Sequence, residues 1–256
     1  MIDVIWLRGT TENMVPESVS MQFLDKLNGG FQVLPIQYQA SYGNPGSYHD
    51  SRIEGRDNAL VQIRNSQNPF IIGGYSQGAD IAGDLLAEIL GWVSVPGRVM
   101  ADDLVEIQHR CRGGAFIADP QRPTNRYLGL NPDPGQSSYG IKGSRDITAR
   151  KAFWVAAPRD PITVMRPGNP ARSIADFSDF FALSTPEDAT RWGLSIIQKA
   201  LSGQAQPWWL PEHWKDWGGA IEAIANYLGT RHTTAYVEEG FCEMLANAVN
   251  GYQWVA

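Results

Sequence analysis

The sequence predicts an α/β fold with a mostly parallel central sheet and helices on both of its faces. Three observations predict it: short apolar runs alternate with helix-period stretches through the first half, the turns between them are short and polar, and the chain is long enough for one large core. The chain has 256 residues, of which 43% are hydrophobic and 19% charged, the balance of a globular domain rather than a disordered chain.

Residues 2–7 form a mostly apolar run that ends in the polar turn Arg8, Gly9, Thr10, Thr11, Glu12, so they read as the first strand. A helix is expected over 17–27, with Val19, Phe23, Leu24 and Leu27 on one face. A second strand follows over 31–38, after Gly29 and Gly30, and then a helix over 50–66 with Ile53, Leu60, Val61 and Ile63 turned inward. A third strand over 69–73 runs into the tight turn 74–78 and a helix reaching about Leu90. Another helix over 100–111 precedes a strand over 114–118. Residues 119–145 are rich in Pro, Gly, Asn and Ser and show no period, which suits a functional rim or lid. A buried-type strand over 152–157 follows. From about 170 to 230 the alternation stops, and helix-like stretches over 189–201 and 221–228 accompany five of the nine tryptophans, Trp192, Trp208, Trp209, Trp214 and Trp217. A closing helix is expected over 233–249.

The formal net charge is −6, without runs of like charge, which disfavours nucleic acid or an anionic membrane surface as the main partner. The apolar runs fall far short of the roughly 20 residues a membrane span needs. The N-terminal run lacks a basic n-region and carries Asp3, so it reads as a strand and not as a signal peptide. Cys111 and Cys242 have no metal-ligand spacing and read as separate, reduced, buried thiols. Both points suggest synthesis in a reducing cytosol without a classical export signal. Neither H-E-x-x-H nor a phosphate-binding Gly-rich loop is present, so no metal or cofactor is expected.

The chemistry is carried by Gly74, Tyr75, Ser76, Gln77 and Gly78, a match to G-x-S-x-G. Alone, this pattern arises by chance in roughly one chain in ten of this size. Its setting sharpens it, because an apolar strand enters the motif and a helical pattern with Ile81, Leu85, Leu86 and Ile89 leaves it. That is the strand-to-helix elbow of an α/β-hydrolase, with Ser76 as nucleophile. A serine hydroxyl needs a base, and only four histidines are available. In this fold the order is Ser, acid, His, so His49 and His109 come too early. His232 lies at a loop-to-helix junction near the C-terminus, where the base belongs; His213, inside the Trp-rich stretch, is its rival. Two aspartates follow late strands, Asp119 and Asp160, each with a proline after it, and spacing does not separate them. Oxyanion donors are expected from the backbone N–H of Gln77 and from the 8–12 turn.

Together these residues resemble the cutinase family and, more closely, the lysin B proteins of mycobacteriophages. The resemblance rests on the Arg8 to Glu12 turn, the Gly74 to Gly78 elbow, the later Asp160 and a His before the last helix, His232. It covers roughly residues 1–165 and 230–256. It implies that Asp160 is the acid, that Asp119 and Pro120 end a strand, and that Thr10 supplies the second oxyanion N–H. The chain departs from secreted cutinases in its isolated cysteines, its lack of an export signal and its Trp-rich insertion, features that lysin B proteins share. The expected organisation is an α/β-hydrolase domain over 1–169 and 230–256, with a helical insertion over 170–229. The implied activity is a serine esterase that releases mycolic acids from arabinogalactan in the mycobacterial envelope, made in the host cytoplasm and acting at the envelope after release. The implied partner is mycolyl-arabinogalactan or another long-chain ester lipid. The tryptophans of the insertion either pack a small core of its own and anchor it to the main domain or, through Trp208 and Trp209, wall a long acyl chain. Two other readings fit the sequence: a general cutinase- or lipase-like carboxylesterase, and a non-catalytic envelope binder on a hydrolase scaffold.

Overall fold

The computed structural model describes residues 1–43, 46–91, 103–145, 147, 151–169, 171–172, 194, 201 and 230–254. The strands are β1 (Ile2–Leu7), β2 (Phe31–Pro35), β3 (Phe70–Tyr75), β4 (Cys111–Ile117) and β5 (Lys151–Val155). The helices are α1 (Val19–Leu24), α2 (Tyr48–Asn65), α3 (Gln77–Ile89), α4 (Leu104–Arg110), α5 (Ala235–Glu238) and α6 (Phe241–Gly251).

All five strands pair in parallel, in the order β2-β1-β3-β4-β5. Parallel strands cannot be joined by tight hairpins, so each connection must cross a face of the sheet. The crossovers bury both faces and divide the core in two. Ile5, Leu7, Ile72, Phe116 and Trp154 face α2 and α3. Val4, Trp6, Ile71, Ala115, Ile117 and Val155 face α1 and α6. Cys111 lies in the first core and Cys242 in the second, so the sheet separates the two thiols. Burial pushes the Cys242 thiol up to about 12.

The order of the strands fixes where a site can form. From β1 the chain steps outward to β2 and then returns to the other side of β1 as β3. The carboxyl ends of β1 and β3 therefore diverge at a switch point, where open α/β sheets leave a crevice. β1 ends at Leu7 and β3 at Tyr75, so the 8–12 turn and Ser76 both open onto that crevice.

Several boundaries differ from the sequence expectation. β3 runs to Tyr75, because Gly74 and Tyr75 still pair with Phe116 and Ile117. β2 ends at Pro35 rather than at Tyr38. In α2 the inward face is Ser51, Gly55, Ala59, Leu60 and Ile63, while Val61 points to solvent. Cys111 begins β4 rather than ending α4. The closing helix is two helices, divided where Gly240 takes a left-handed φ of 77°. Apart from Ala171, Arg172, Leu194 and Leu201, the expected insertion over 170–229 lies outside the described residues, and His213, Trp208 and Trp209 with it.

Residues 119–145, expected as a rim or lid, are fastened to the body by buried polar contacts. Arg122 is fully buried and donates to the carbonyls of Thr163, Pro123, Arg126 and Ser138. Arg145 reaches Asp84 at 2.6 Å and Asp119 at 3.1 Å, and Lys142 reaches Asp80 at 2.9 Å. Asp80, in α3 just beyond the elbow, also binds Arg52 at 2.9 Å and accepts hydrogen bonds from Tyr48 and Gln121. Burial alone would raise the Asp80 carboxyl, but Arg52, Lys142 and Arg145 together hold it far below the usual carboxylate range.

Candidate active site

Ser76 sits between β3 and α3 with φ 55° and ψ −117°, a conformation that costs an L-residue energy. The elbow is tight enough to exclude side chains around it. A Cβ on Gly78 would stand 2.0 Å from the carbonyl oxygen of Leu7 and 2.5 Å from that of Arg8. The Ser76 amide donates to the carbonyl of Ile117 at 2.9 Å, which ties the turn to β4.

Ser76 is also the N-cap of α3. A capping serine ordinarily turns its oxygen back to an amide of the first turn. Here the hydroxyl makes no cap hydrogen bond. It lies instead 2.8 Å from Nε2 of His232.

His232 occupies the turn before α5 and is 5% exposed. Its Nδ1 is 3.0 Å from both carboxylate oxygens of Asp160. Asp160 follows β5 through a turn in which Arg159 has φ 64°, and it is completely buried. Its Oδ1 also accepts from the Ile162 amide at 3.0 Å, and its Oδ2 from the Tyr236 hydroxyl at 2.6 Å. A ring that donates Nδ1–H to the carboxylate presents a lone pair at Nε2, the form that can take a proton from Ser76. The three predicted side chains thus form one hydrogen-bonded chain.

Asp119, the rival acid, is held elsewhere. Its carboxylate accepts from Trp154 Nε1 at 3.0 Å, from the Gln121 amide at 2.8 Å and from Arg145. Burial pushes this carboxyl up, against the pull of Arg145.

The two expected oxyanion donors flank the crevice. Gln77 is the first residue of α3, where backbone N–H groups have no carbonyl four residues back. Its side chain is tied down, donating to the Ser41 carbonyl at 3.0 Å. Opposite, the 8–12 turn is braced on all sides. Glu12 accepts from the amides of Gly9 and Ser20, Thr11 donates to the Ala40 carbonyl, and Arg8 binds the carbonyls of Glu12 and Gln39. The amides on both sides of Thr10 are thereby committed. Gly9 lets this turn close on the nucleophile, since a Cβ there would stand 3.5 Å from Cβ of Ser76 and 2.6 Å from the Tyr75 ring. Beside the site is a cavity of about 390 Å³, bordered by Thr10, Ser18, Val19, Tyr75, Thr233 and Val237.

Two contacts of the candidate site were not visible in the sequence. Tyr75 stacks on the His232 ring at 5.6 Å between centroids and donates its hydroxyl to the His232 carbonyl. Tyr236 donates to Asp160, as above. The available signals were positional: Tyr75 is the variable residue before Ser76, and Tyr236 lies one helical turn past His232.

No protein-family model matches the chain. Among solved structures, the crystal structure of lysin B from Mycobacteriophage D29 has TM-score 0.52 at 15% identity, covering 68% of this chain and 74% of that one. The fold is that of the α/β-hydrolases. A cutinase-like protein from Cryptococcus sp. aligns at TM-score 0.45 and 19% identity, covering 64% of this chain and 78% of that one. Among curated proteins, the "Carboxylesterase Culp6 homolog" of Corynebacterium glutamicum is 35% identical over 147 residues, 54% of this chain. The chain spans 42% of the length of that relative.

Proposed function

We propose that the protein is a serine carboxylic-ester hydrolase. The observation that carries this reading is the continuous contact from Ser76 Oγ through His232 to the buried carboxylate of Asp160. The relative named as a carboxylesterase homolog, and the fold shared with a lysin B, support it. Ser76 Oγ attacks the ester carbonyl while its proton passes to His232 Nε2. The N–H groups of Gln77 and Thr10 hold the developing oxyanion. The C–O bond to the alcohol breaks and the imidazolium proton leaves with the alcohol. Water, deprotonated by His232, then releases the acid and restores Ser76. Asp160 keeps the imidazole in the correct tautomer and stabilises its protonated form.

For the substrate, we infer the ester between mycolic acid and arabinogalactan, cleaved at the mycobacterial envelope during host lysis by a protein made in the host cytoplasm. The resemblance to lysin B proteins supports this choice, together with the likeness in fold to the D29 protein. A general cutinase- or lipase-like carboxylesterase is the second reading, favoured by the carboxylesterase name of the curated relative. Purified mycolyl-arabinogalactan and a triglyceride, offered to the same enzyme, separate them. Free mycolic acid released by wild type and not by Ser76→Ala supports the first. Release of fatty acid from triglyceride alone overturns it in favour of the second.

A further inference from the structure

We propose that Tyr236 is a positioning residue for the proton relay: its phenol holds the Asp160 carboxylate aimed at His232. The proposal rests on the esterase reading above and goes beyond it by giving the acid a partner of its own.

Asp160 is fully buried, and a buried carboxylate far from cations is costly to keep charged. No arginine or lysine is hydrogen-bonded to it among the described residues. Arg231 lies close enough to feel its charge, but that guanidinium is spent on Glu239 and on the carbonyl of Pro158. The carboxylate is instead satisfied by three donors: Nδ1 of His232, the Ile162 amide at 3.0 Å and the Tyr236 hydroxyl at 2.6 Å. The phenol is the shortest of the three, and it stands on Oδ2.

Tyr236 is itself held rigidly. It is fully buried on α5, its oxygen accepts from the Ala157 amide at 3.2 Å, and its ring meets Tyr75 and Phe241 edge-on or tilted. Ala157 lies just beyond β5, so the phenol bridges the segment that leads from β5 to Asp160 and the helix that follows His232. Burial, and then the negative charge of Asp160, push the phenol well above its ordinary value. It therefore remains a donor across the whole working range. Among the described residues, Ser76 and Tyr75 face this cluster on the His232 side, and Tyr236 in turn bears on the guanidinium of Arg122.

Removing the phenol has a predictable sign. Without it, Oδ2 carries more of the negative charge beside Nδ1 of His232, and that moves the acid limb of kcat/KM to higher pH. A residue that merely fills space would not move that limb.

The test is the pH profile of p-nitrophenyl butyrate hydrolysis by wild type, Tyr236→Phe and Tyr48→Phe. Tyr48 also donates to a buried carboxylate, Asp80, which pairs with Arg52 and Lys142 rather than with His232. Tyr236→Phe is expected to raise the acid limb by about half a unit or more and to lower kcat about tenfold. KM should stay near wild type, and Tyr48→Phe should leave the limb in place. A folded Tyr236→Phe protein with the wild-type limb and kcat overturns the proposal. If Tyr236→Phe does not fold, 3-fluorotyrosine placed at 236 keeps the ring and makes the donor more acidic. The limb should then move down, and an unmoved limb overturns the proposal. Failure of the esterase reading is distinct, because Ser76→Ala would then hydrolyse the ester as fast as wild type.

Discussion

Ser76 Oγ and His232 Nε2 stand 2.8 Å apart although 156 residues separate them in the chain. The contact exists because the hydroxyl forgoes the capping bond that its place at the start of α3 offers. The backbone strain at φ 55° is what aims it into the crevice instead.

The strain depends on the absence of a side chain at 78. Gly78→Ala would drive a methyl group into two backbone carbonyls, which cannot swing aside as a side chain would. The expected loss of stability is more than about 3 kcal/mol, with esterase activity lost as well. Thermal and urea unfolding measure it, and a variant as stable as wild type would refute this view of the elbow.

Asp160 and Asp119 separate by their effects. Asp160→Asn places an amide where His232 needs a carboxylate, so kcat should fall by about 10³–10⁴ with the fold intact. Asp119→Asn instead removes one of the carboxylates that hold Arg145 and weakens the Trp154 contact, so it should cost stability and leave kcat within a few fold. Steady-state kinetics and unfolding on both variants decide this. The opposite pattern would exchange their roles.

The Asp80 cluster predicts how the protein meets acid. Its folded carboxyl is depressed, so its contribution is complete above the unfolded value of about 3.9 and fades as pH falls toward the lower folded value. Asp80→Asn leaves Arg52, Lys142 and Arg145 without their shared partner, at a cost of about 3–5 kcal/mol near neutrality. Its stability should then vary less between pH 4 and pH 2 than that of wild type. Chemical denaturation across that range tests the sign.

Much of the site was legible because its parts are local. A strand, two glycines and a helical pattern identify Ser76, and a scarcity of histidines brings His232 forward. Asp119 and Asp160 could not be told apart by spacing, since both follow a parallel strand and precede a proline. What distinguishes them is long-range: Asp119 meets Arg145 and Trp154, whereas Asp160 meets His232 and Tyr236. The fastening of residues 119–145 was illegible for the same reason. Two of its anchors are ion pairs across 61 or more positions, Arg145 with Asp84 and Lys142 with Asp80. The closing helix expected as one element over 233–249 instead divides at Gly240, where the backbone turns left-handed.

The most direct test of the central claim is covalent labelling of the native protein by a fluorophosphonate, read by peptide mass spectrometry. Wild type should gain one phosphonyl group on Ser76, Ser76→Ala none, and Asp160→Asn should react far more slowly. Native, folded wild-type protein left unlabelled at Ser76 would contradict the assignment of a serine esterase.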